Sequence, residues 1–303
     1  MPTEKRPNLF LVGAQKCGTS ALSGWLGQHP QVLMSFPKEP GFLAFGENGY
    51  PYLDGQGRPA PASRYVVSNE KDYLALFARA RQAQHVIGEA STWYLSMPGT
   101  AEKIRQFSPN ARIIIMLRDP VARAYSAWCH ARSDMLEPCE SFAESLACEA
   151  SRSDVEFLLR YRQMGLYSEG LAQYQTTFAA SKVLILFHED LKADPGSVWR
   201  SVAQFLDINA DIQPDFQHRY NSAGLPRSRL IQKLLHSHRL KTAVRQLLPH
   251  NLAMRVKAKV DDSNLAPLPP PDEQSKDQLK AYFQNDVRRV EQLTGRDLRE
   301  WLQ

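Results

Sequence analysis

Residues 8–22 read N-L-F-L-V-G-A-Q-K-C-G-T-S-A-L. The first part of this segment is a short apolar run that ends in glycine, which is typical of a buried β-strand. After the loop, Leu22, Trp25 and Leu26 are spaced as on one face of a helix, and this spacing predicts a helix over 19–28. This order of elements is a strand, a glycine-containing loop and the start of a helix. In such an arrangement the backbone N–H groups of the loop and of the first helical turn point toward a bound phosphate.

The loop between this strand and helix, residues 13–21, contains the residues that we predict to bind an anion. Gly13 and Gly18 permit tight turns and the close approach of a ligand. In the loop of nucleotide triphosphatases, G-x-x-x-x-G-K-[S/T], the lysine follows the second glycine. Here Thr19 takes that place, and Lys16 precedes the glycine inside the loop. Lys16 could therefore meet an oxygen that bridges a nucleotide to a transferred group; the alternative is a capped turn that binds no ligand.

A second strand and helix meet at Arg118. Residues 112–117, R-I-I-I-M-L, predict a central strand, and Pro120 begins a predicted helix over 120–132. Arg118 follows the carboxyl end of this strand, where open α/β sheets bind ligands, and its guanidinium can hold a phosphate with two hydrogen bonds. Ser126 lies about two helical turns further on and could donate its hydroxyl to the same phosphate.

Two other interpretations fit the residues around Arg118. Asp119 can cap the helix, with Arg118 as the partner of its carboxylate in an ion pair. Alternatively, I-I-I-M-L-R-D can be the magnesium-binding strand of an ATP-dependent enzyme, with Asp119 as the metal ligand. The positive charge of Arg118 beside that carboxylate disfavours the metal site.

The rest of the chain alternates between strand and helix patterns. Strands are predicted at 86–88 and 183–187, helices at about 195–206 and 273–293, and a loop over the Gly-, Pro- and Asn-rich residues 46–64. This alternation predicts an α/β fold with a central parallel sheet and helices on both faces. Without a clear boundary in its 303 residues, we predict a single domain over 1–303 with a mostly helical C-terminal part from about residue 225.

The composition resembles that of an ordinary soluble protein and excludes several classes. The net charge of +5 is too small for a nucleic-acid-binding protein and favours anionic ligands, although a generic basic surface would give the same excess. The four cysteines lack zinc-ligand spacing, so we expect free thiols and no metal site. With neither a signal sequence nor an apolar run of about 20 residues, we expect a cytoplasmic protein without a membrane span; a domain released from a membrane anchor would show the same pattern.

Together the two motifs resemble those of the sulfotransferases that use 3′-phosphoadenosine 5′-phosphosulfate (PAPS), especially the heparan sulfate branch and its bacterial relatives. In that family G-x-x-K-x-G-T-[ST]-A-L binds the 5′-phosphosulfate and R-D-P-x-x-R-x-x-S binds the 3′-phosphate. Both motifs occur here in this order and with this spacing. Weaker similarities extend over about residues 7–230. The resemblance implies the sulfotransferase fold, a P-loop-like sheet flanked by helices, with PAPS as co-substrate and no metal.

The resemblance also implies roles for individual residues. Lys16 would stabilise the negative charge that develops on the bridging oxygen. Glu39, in K-E-P-G-F-L, lies where many members place a catalytic glutamate and would accept the proton of the acceptor. The residues implied in PAPS binding are Gly13, Gln15, Lys16, Cys17, Gly18, Thr19, Ser20, Ala21, Arg118, Ser126, Tyr167 and Arg227.

Several of these residues have alternative roles. Glu39 could be a solvated loop carboxylate paired with Lys38. His29 and His188 are other candidate bases, for which we favour structural roles. Tyr167 could bind near the nucleotide or belong to the core. Arg227 and its neighbours stand in the region where heparan-type members carry a basic glycine loop.

On the acceptor side the chain departs from the heparan-type pattern. Ala90 replaces the lysine of E-K-[ST] after Glu89, and Gly41 replaces the histidine that often follows the catalytic glutamate. We expect a small-molecule or glycan acceptor, with carbohydrate, lipid and natural-product hydroxyls or an amine left open, and the oligomeric state is not indicated. The alternative functions are a magnesium-dependent nucleotide kinase on a P-loop fold, which the displaced lysine disfavours, and a non-catalytic nucleotide-binding relative, which the two intact motifs disfavour.

Overall fold

The computed structural model describes residues 5–152, 154–217, 225–226, 265–266 and 270–303. Its strands are β1 Leu9–Gly13, β2 Val32–Met34, β3 Val86–Ala90, β4 Arg112–Leu117, β5 Val183–Phe187, β6 Leu225–Pro226 and β7 Leu265–Ala266. The first five form one parallel sheet in the order β2-β3-β1-β4-β5, and β6 pairs with β7 in the antiparallel direction. The predicted central parallel sheet is confirmed, and so are the strands predicted at 112–117 and 183–187.

Helices connect and flank these strands. Within the described ranges they are α1 Thr19–Gln28, α2 Phe42–Phe45, α3 Glu70–Ala75, α4 Thr100–Phe107, α5 Pro120–Ser133, α6 Phe142–Glu149, α7 Ser168–Thr177, α8 His188–Ala193, α9 Pro195–Leu206 and α10 Glu273–Thr294. The four predicted helices are confirmed within one residue at each end. None of the helices in this part of the chain combines the length and the apolar character that a membrane span requires.

The two central strands explain the continuous apolar runs of the sequence. The side chains of Leu9 through Val12 and of Ile113 through Leu117 are fully buried. A parallel strand covered on both faces has no polar side to alternate with its apolar side. Burial on both faces therefore produced the pattern that made these two strands recognisable.

The order of the strands determines where a ligand can bind. The chain leaves β1 toward β2 on one side of the sheet and leaves β4 toward β5 on the other. The carboxyl ends of β1 and β4 therefore border the crevice where open α/β sheets bind their ligands. Ala14, which follows β1, donates its N–H to the carbonyl of Met116 in β4 at 2.6 Å, so the two ends are held side by side.

The C-terminal helix α10 packs against the elements that border this crevice. Its apolar face recurs every three to four residues and is buried at Leu279, Phe283, Val287 and Val290. Asp286 accepts hydrogen bonds from the N–H groups of Tyr167 and Ser168, which fixes the start of α7. The single-domain prediction over 1–303 stays a prediction, because most of residues 218–269 lie outside the described part.

Candidate functional site

The loop between β1 and α1 has no room for side chains at Gly13 and Gly18. Both have positive φ angles, +149° and +95°. A Cβ at Gly13 would lie 2.8 Å from the Cβ of Leu95, and one at Gly18 would lie 3.0 Å from Nδ1 of His188. Gly18 also precedes α1 without a side chain to cap it, which leaves the first N–H groups of that helix for an anion.

Lys16 is held in this loop beside a histidine that sequence analysis missed. Its backbone has a φ of +68°, and its Nζ lies 3.1 Å from Nδ1 of His130 on α5. The other ring nitrogen of His130, Nε2, lies 3.3 Å from Oδ2 of Asp134. If Nε2–H donates to Asp134, Nδ1 is free to accept from the Lys16 ammonium. His130 is four residues after Ser126, one helical turn on the same face, and this spacing was the signal that could have revealed it.

Burial and neighbouring cations weaken the proton affinity of Lys16. Its desolvation is the main cause that lowers the pKa to about 8, with Asp134 opposing and the positive charges of Arg118 and Lys38 adding to the decrease. Because burial is the main cause of this decrease, an anion bound beside the ammonium would raise the pKa of Lys16 again.

This lowered pKa predicts a pH-dependent affinity for nucleotide. As the pH rises through about 8, Lys16 loses its proton, and the affinity for 3′,5′-diphosphoadenosine should fall by about tenfold. Calorimetric titration between about pH 7 and pH 9.5 measures the change, because the phosphates of the ligand stay ionised over this range. In Lys16→Arg the cation persists, so the decrease should disappear. The same decrease in both proteins would show that another group is responsible.

Arg118 connects the two predicted motifs. Its Nη1 donates to the carbonyl oxygen of Lys16 at 3.2 Å. The motif that follows strand β4 therefore contacts the loop that follows strand β1 directly. Asp119 accepts a hydrogen bond from the N–H of Val121 at 2.9 Å and caps α5, as the capping interpretation predicts. Its N–H donates to Oε1 of Glu189 at 3.1 Å. The predicted ion pair between Arg118 and Asp119 is not found among the described residues, because Arg118 turns to the loop instead.

Three buried side chains, those of Cys17, Tyr167 and Arg123, lie in or beside the loop. Cys17 is fully buried, and its Sγ lies 3.8 Å from the hydroxyl of Tyr167. That hydroxyl donates to the carbonyl of Arg118 at 3.0 Å, and Tyr167 is buried, in agreement with the core alternative for its ring. Arg123 is fully buried and donates to the carbonyl of Tyr161, while its Nε and Nη1 have no partner among the described residues. Arg123 therefore adds a buried positive charge near Cys17 and Arg118.

The other residues predicted to bind PAPS differ in their burial and hydrogen bonds. Ser20 accepts a hydrogen bond from Nζ of Lys38 at 3.3 Å, and Thr19 is buried at the start of α1. Gln15, Ala21 and Ser126 are partly exposed. The side-chain oxygen of Gln15 is buried without a hydrogen-bond partner in the described part of the chain. Arg227 lies outside the described residues.

Glu39 lies in the segment that follows β2. Its Oε1 accepts from Nζ of Lys38 at 3.0 Å and from the hydroxyl of Thr92 at 3.2 Å. Because Lys38 also donates to Ser20, this segment is linked to α1. The pairing with Lys38 is confirmed, but the Glu39 side chain is only 18% exposed and is not a solvated loop carboxylate.

A buried carboxylate behind this segment holds it in place. Glu89 in β3 is fully buried and accepts hydrogen bonds from the hydroxyls of Tyr73 (2.5 Å), Ser91 (2.7 Å) and Tyr94 (2.9 Å). The Ser91 and Tyr94 hydroxyls in turn accept from the N–H groups of Gly41 and Leu43. Burial raises the pKa of Glu89 to about 7 against the effect of the three hydroxyls. Glu89 therefore fixes the chain directly after Glu39.

The two other candidate bases, His29 and His188, are held by contacts elsewhere in the fold. His29 has Nε2 3.1 Å from the carbonyl of Asn209, and its Nδ1 accepts from the N–H of Gln31, so the favoured structural role is confirmed. His188 begins α8 and lies behind Gly18. Burial lowers the pKa of His188 to about 4, which keeps the ring neutral at neutral pH.

Comparison with known proteins identifies relatives that share this architecture. A family model described as "Sulfotransferase domain" matches residues 6–223. A solved sulfotransferase from Alicyclobacillus acidocaldarius is 31% identical, with 99% of this chain and 100% of that chain covered and a TM-score of 0.75.

Curated relatives match over a shorter part of their own length. Carbohydrate sulfotransferase 15 of Homo sapiens is 29% identical, with 67% of this chain and 44% of the relative covered. The bifunctional heparan sulfate N-deacetylase/N-sulfotransferase 1 of Caenorhabditis elegans is 26% identical, with 67% and 22% covered. The chain thus spans less than half the length of these two curated relatives.

Proposed function

The chain belongs to the sulfotransferase family, and we propose that it transfers a sulfuryl group from PAPS to a hydroxyl or amine of a small-molecule or glycan acceptor. We base the choice of co-substrate on the hydrogen bond between Arg118 and the carbonyl of Lys16. Because of this contact, a loop that can bind one phosphate group lies next to a guanidinium that can bind a second phosphate group. A nucleotide with separate 5′ and 3′ phosphates matches this arrangement.

The residues present fit such a polyanion. Gly18 precedes α1 without a side-chain cap, so the first N–H groups of that helix can meet an anion, and Arg123 carries buried N–H groups without a partner in the described ranges. We assign the 5′-phosphosulfate to the loop and the start of α1, and the 3′-phosphate to Arg118 and Ser126. When bound, PAPS would supply the sulfuryl group together with a nucleotide leaving group.

Lys16 acts on the leaving-group side of the transferred sulfuryl group, and Glu39 acts on its acceptor side. The Lys16 ammonium stabilises the negative charge of the departing phosphate oxygen. Glu39 accepts the proton of the attacking hydroxyl, with its carboxylate oriented by Lys38 and Thr92. His130 holds the Lys16 ammonium in place from α5.

For the acceptor we favour a molecule with little negative charge. A side chain at Gly41 would meet the ring of Trp93, 3.0 Å from the Cβ position, so the histidine of the heparan-type pattern has no room. Burial and then the carboxylates of Glu39, Glu156 and Asp134 raise the pKa of the nearby Tyr65. Those carboxylates would repel a heavily sulfated glycan. The names of the curated relatives make a carbohydrate the first class of acceptor to test.

Recognition of the 3′-phosphate is the test of this proposal. The protein should bind 3′,5′-diphosphoadenosine at least about tenfold more tightly than ADP, and Arg118→Ala should remove most of that difference. Calorimetric titration with both nucleotides, with and without magnesium, measures it. The control is Arg105→Ala, since Arg105 is an exposed arginine of α4 paired with Glu102. Equal affinities of the wild-type protein, or a magnesium-dependent preference for ADP, would favour the nucleotide kinase instead.

A further inference from the structure

Two thiols lie in contact at the two ends of α6. Cys139 precedes this helix and Cys148 is in its last turn, and their Sγ atoms are 3.6 Å apart. Cys139 is 9% exposed, whereas Cys148 is more accessible. A disulfide requires the two sulfurs to approach to about 2 Å, so these two must move together by about 1.6 Å to bond. We propose that Cys139 and Cys148 form a reversible disulfide, a redox modification site separate from the nucleotide-binding loop.

The two cysteines differ in accessibility, and this difference indicates which thiol reacts first. The accessible thiol of Cys148 can reach an oxidant in solution. Burial raises the pKa of Cys139 to about 12, so its thiol is a poor first nucleophile. Nη2 of Arg152 lies 3.1 Å from the sulfur of Cys139, but the carboxylate of Glu137 also faces this sulfur and opposes the thiolate, so Cys139 reacts second. Cys148 is therefore the attacking residue and Cys139 the resolving residue.

The reaction is a thiol–disulfide exchange with a small disulfide such as oxidised glutathione. The Cys148 thiolate attacks one sulfur of the oxidant, a mixed disulfide forms, and one glutathione thiolate leaves. Cys139 then loses its proton to solvent and attacks the sulfur of Cys148, and the second glutathione leaves. Two protein thiols are oxidised, and one disulfide is reduced to two thiols.

The surroundings of Cys139 hold its backbone ready for this step. Its N–H donates to Oε1 of Glu137 at 2.8 Å. The fully buried Glu137 side chain binds both Nη atoms of Arg152, at 2.7 and 2.8 Å, and accepts from the hydroxyl of Tyr161 at 2.7 Å. Because this network fixes the residues on the Cys139 side, the sulfur of Cys148 can move toward a nearly stationary partner.

The full chain should be incubated, folded, in buffers of graded reduced and oxidised glutathione, and its free thiols then blocked by alkylation. Mass spectrometry should show a fraction that carries two alkyl groups fewer than the fully reduced protein, and reduction with dithiothreitol followed by a second alkylation should add them. Trypsin leaves both cysteines on the single peptide 133–152, and cleavage after Glu140 or Glu144 separates them. The two fragments should stay linked until they are reduced.

Single variants test the assigned roles. Cys139→Ser should stop at a glutathione adduct on Cys148, and Cys148→Ser should acquire neither adduct nor disulfide. Cys129→Ser, which changes a buried cysteine of α5, is the matched control and should form the disulfide like the wild type. Four free thiols in the wild type across the whole oxidising range, or a stable adduct that never resolves, would overturn the proposal. So would an adduct on Cys139 rather than Cys148.

Discussion

Lys16→Ala is expected to lower kcat by about a hundredfold to a thousandfold, the usual cost of removing one preorganised group that stabilises developing charge. Its Nζ is the cationic group of the loop, held by His130 at 3.1 Å. Alanine is a suitable replacement, because the φ of +68° strains any residue with a Cβ in much the same way. The measurement is the rate at which labelled sulfate passes from PAPS to a panel of mono- and oligosaccharides, phenols and amines.

Controls separate this loss of catalysis from a loss of structure. Lys103→Ala changes an exposed lysine of α4 and should turn over at the wild-type rate. Lys16→Ala itself should unfold at the wild-type temperature and still bind 3′,5′-diphosphoadenosine, although more weakly. A Lys16→Ala protein with wild-type turnover would remove Lys16 from the chemistry. If the wild-type protein binds the nucleotide but sulfates none of the acceptors in the panel, the non-catalytic alternative is favoured.

The loop and strand end that we propose for the nucleotide could be recognised from the sequence because their signals are local. The apolar run of β1, the two glycines of the loop and Lys16 stand within ten residues of sequence. Arg118 follows β4 in the same way. Local patterns could not predict that β1 and β4 are neighbours in the sheet, because this pairing joins residues about a hundred positions apart in the chain. The family resemblance supplied that step.

The acceptor half was predicted less well because its contacts are distant in sequence. Glu39 is oriented by Thr92, and the chain after it is fixed by Ser91 and Tyr94, about fifty residues away. Glu89, which binds those two hydroxyls, lies on a strand with no pattern that marks it as the centre of a network. A charged residue within an apolar stretch indicates a buried carboxylate, but not which segment it supports.

His130 shows the same limit at shorter range. Its position one turn after Ser126 places it on the same helical face, yet its contact with Lys16 spans 114 positions of the sequence. Only the packing of α5 beside the loop brings the two together. Conversely, Tyr167 was a candidate because of its sequence context, and the structure places its ring under the loop. Sequence motifs identified this loop and helix as the candidate site, whereas the direction of each side chain depends on the fold.

Glu39→Gln is expected to lower kcat by about a hundredfold or more, because the amide keeps the shape of the carboxylate but cannot accept the proton of the acceptor. Its oxygen can still accept from Lys38 and Thr92, so the segment should stay in place. The affinity for 3′,5′-diphosphoadenosine should change by less than about twofold, since Glu39 lies on the acceptor side. Turnover and calorimetric titration together measure this contrast.

The matched control is Glu47→Gln, which changes an exposed glutamate in the turn after α2 and should leave kcat unaltered. Two results would contradict the role of Glu39 as the base. If Glu39→Gln keeps the wild-type kcat but melts at a lower temperature, its carboxylate serves only the ion pair with Lys38. If Glu39→Gln and Lys38→Ala lower kcat and nucleotide affinity in parallel, the pair acts by positioning Ser20 and α1, because Lys38 is the residue that contacts both. A loss of kcat confined to Glu39→Gln, with nucleotide binding intact, fits proton acceptance and neither alternative.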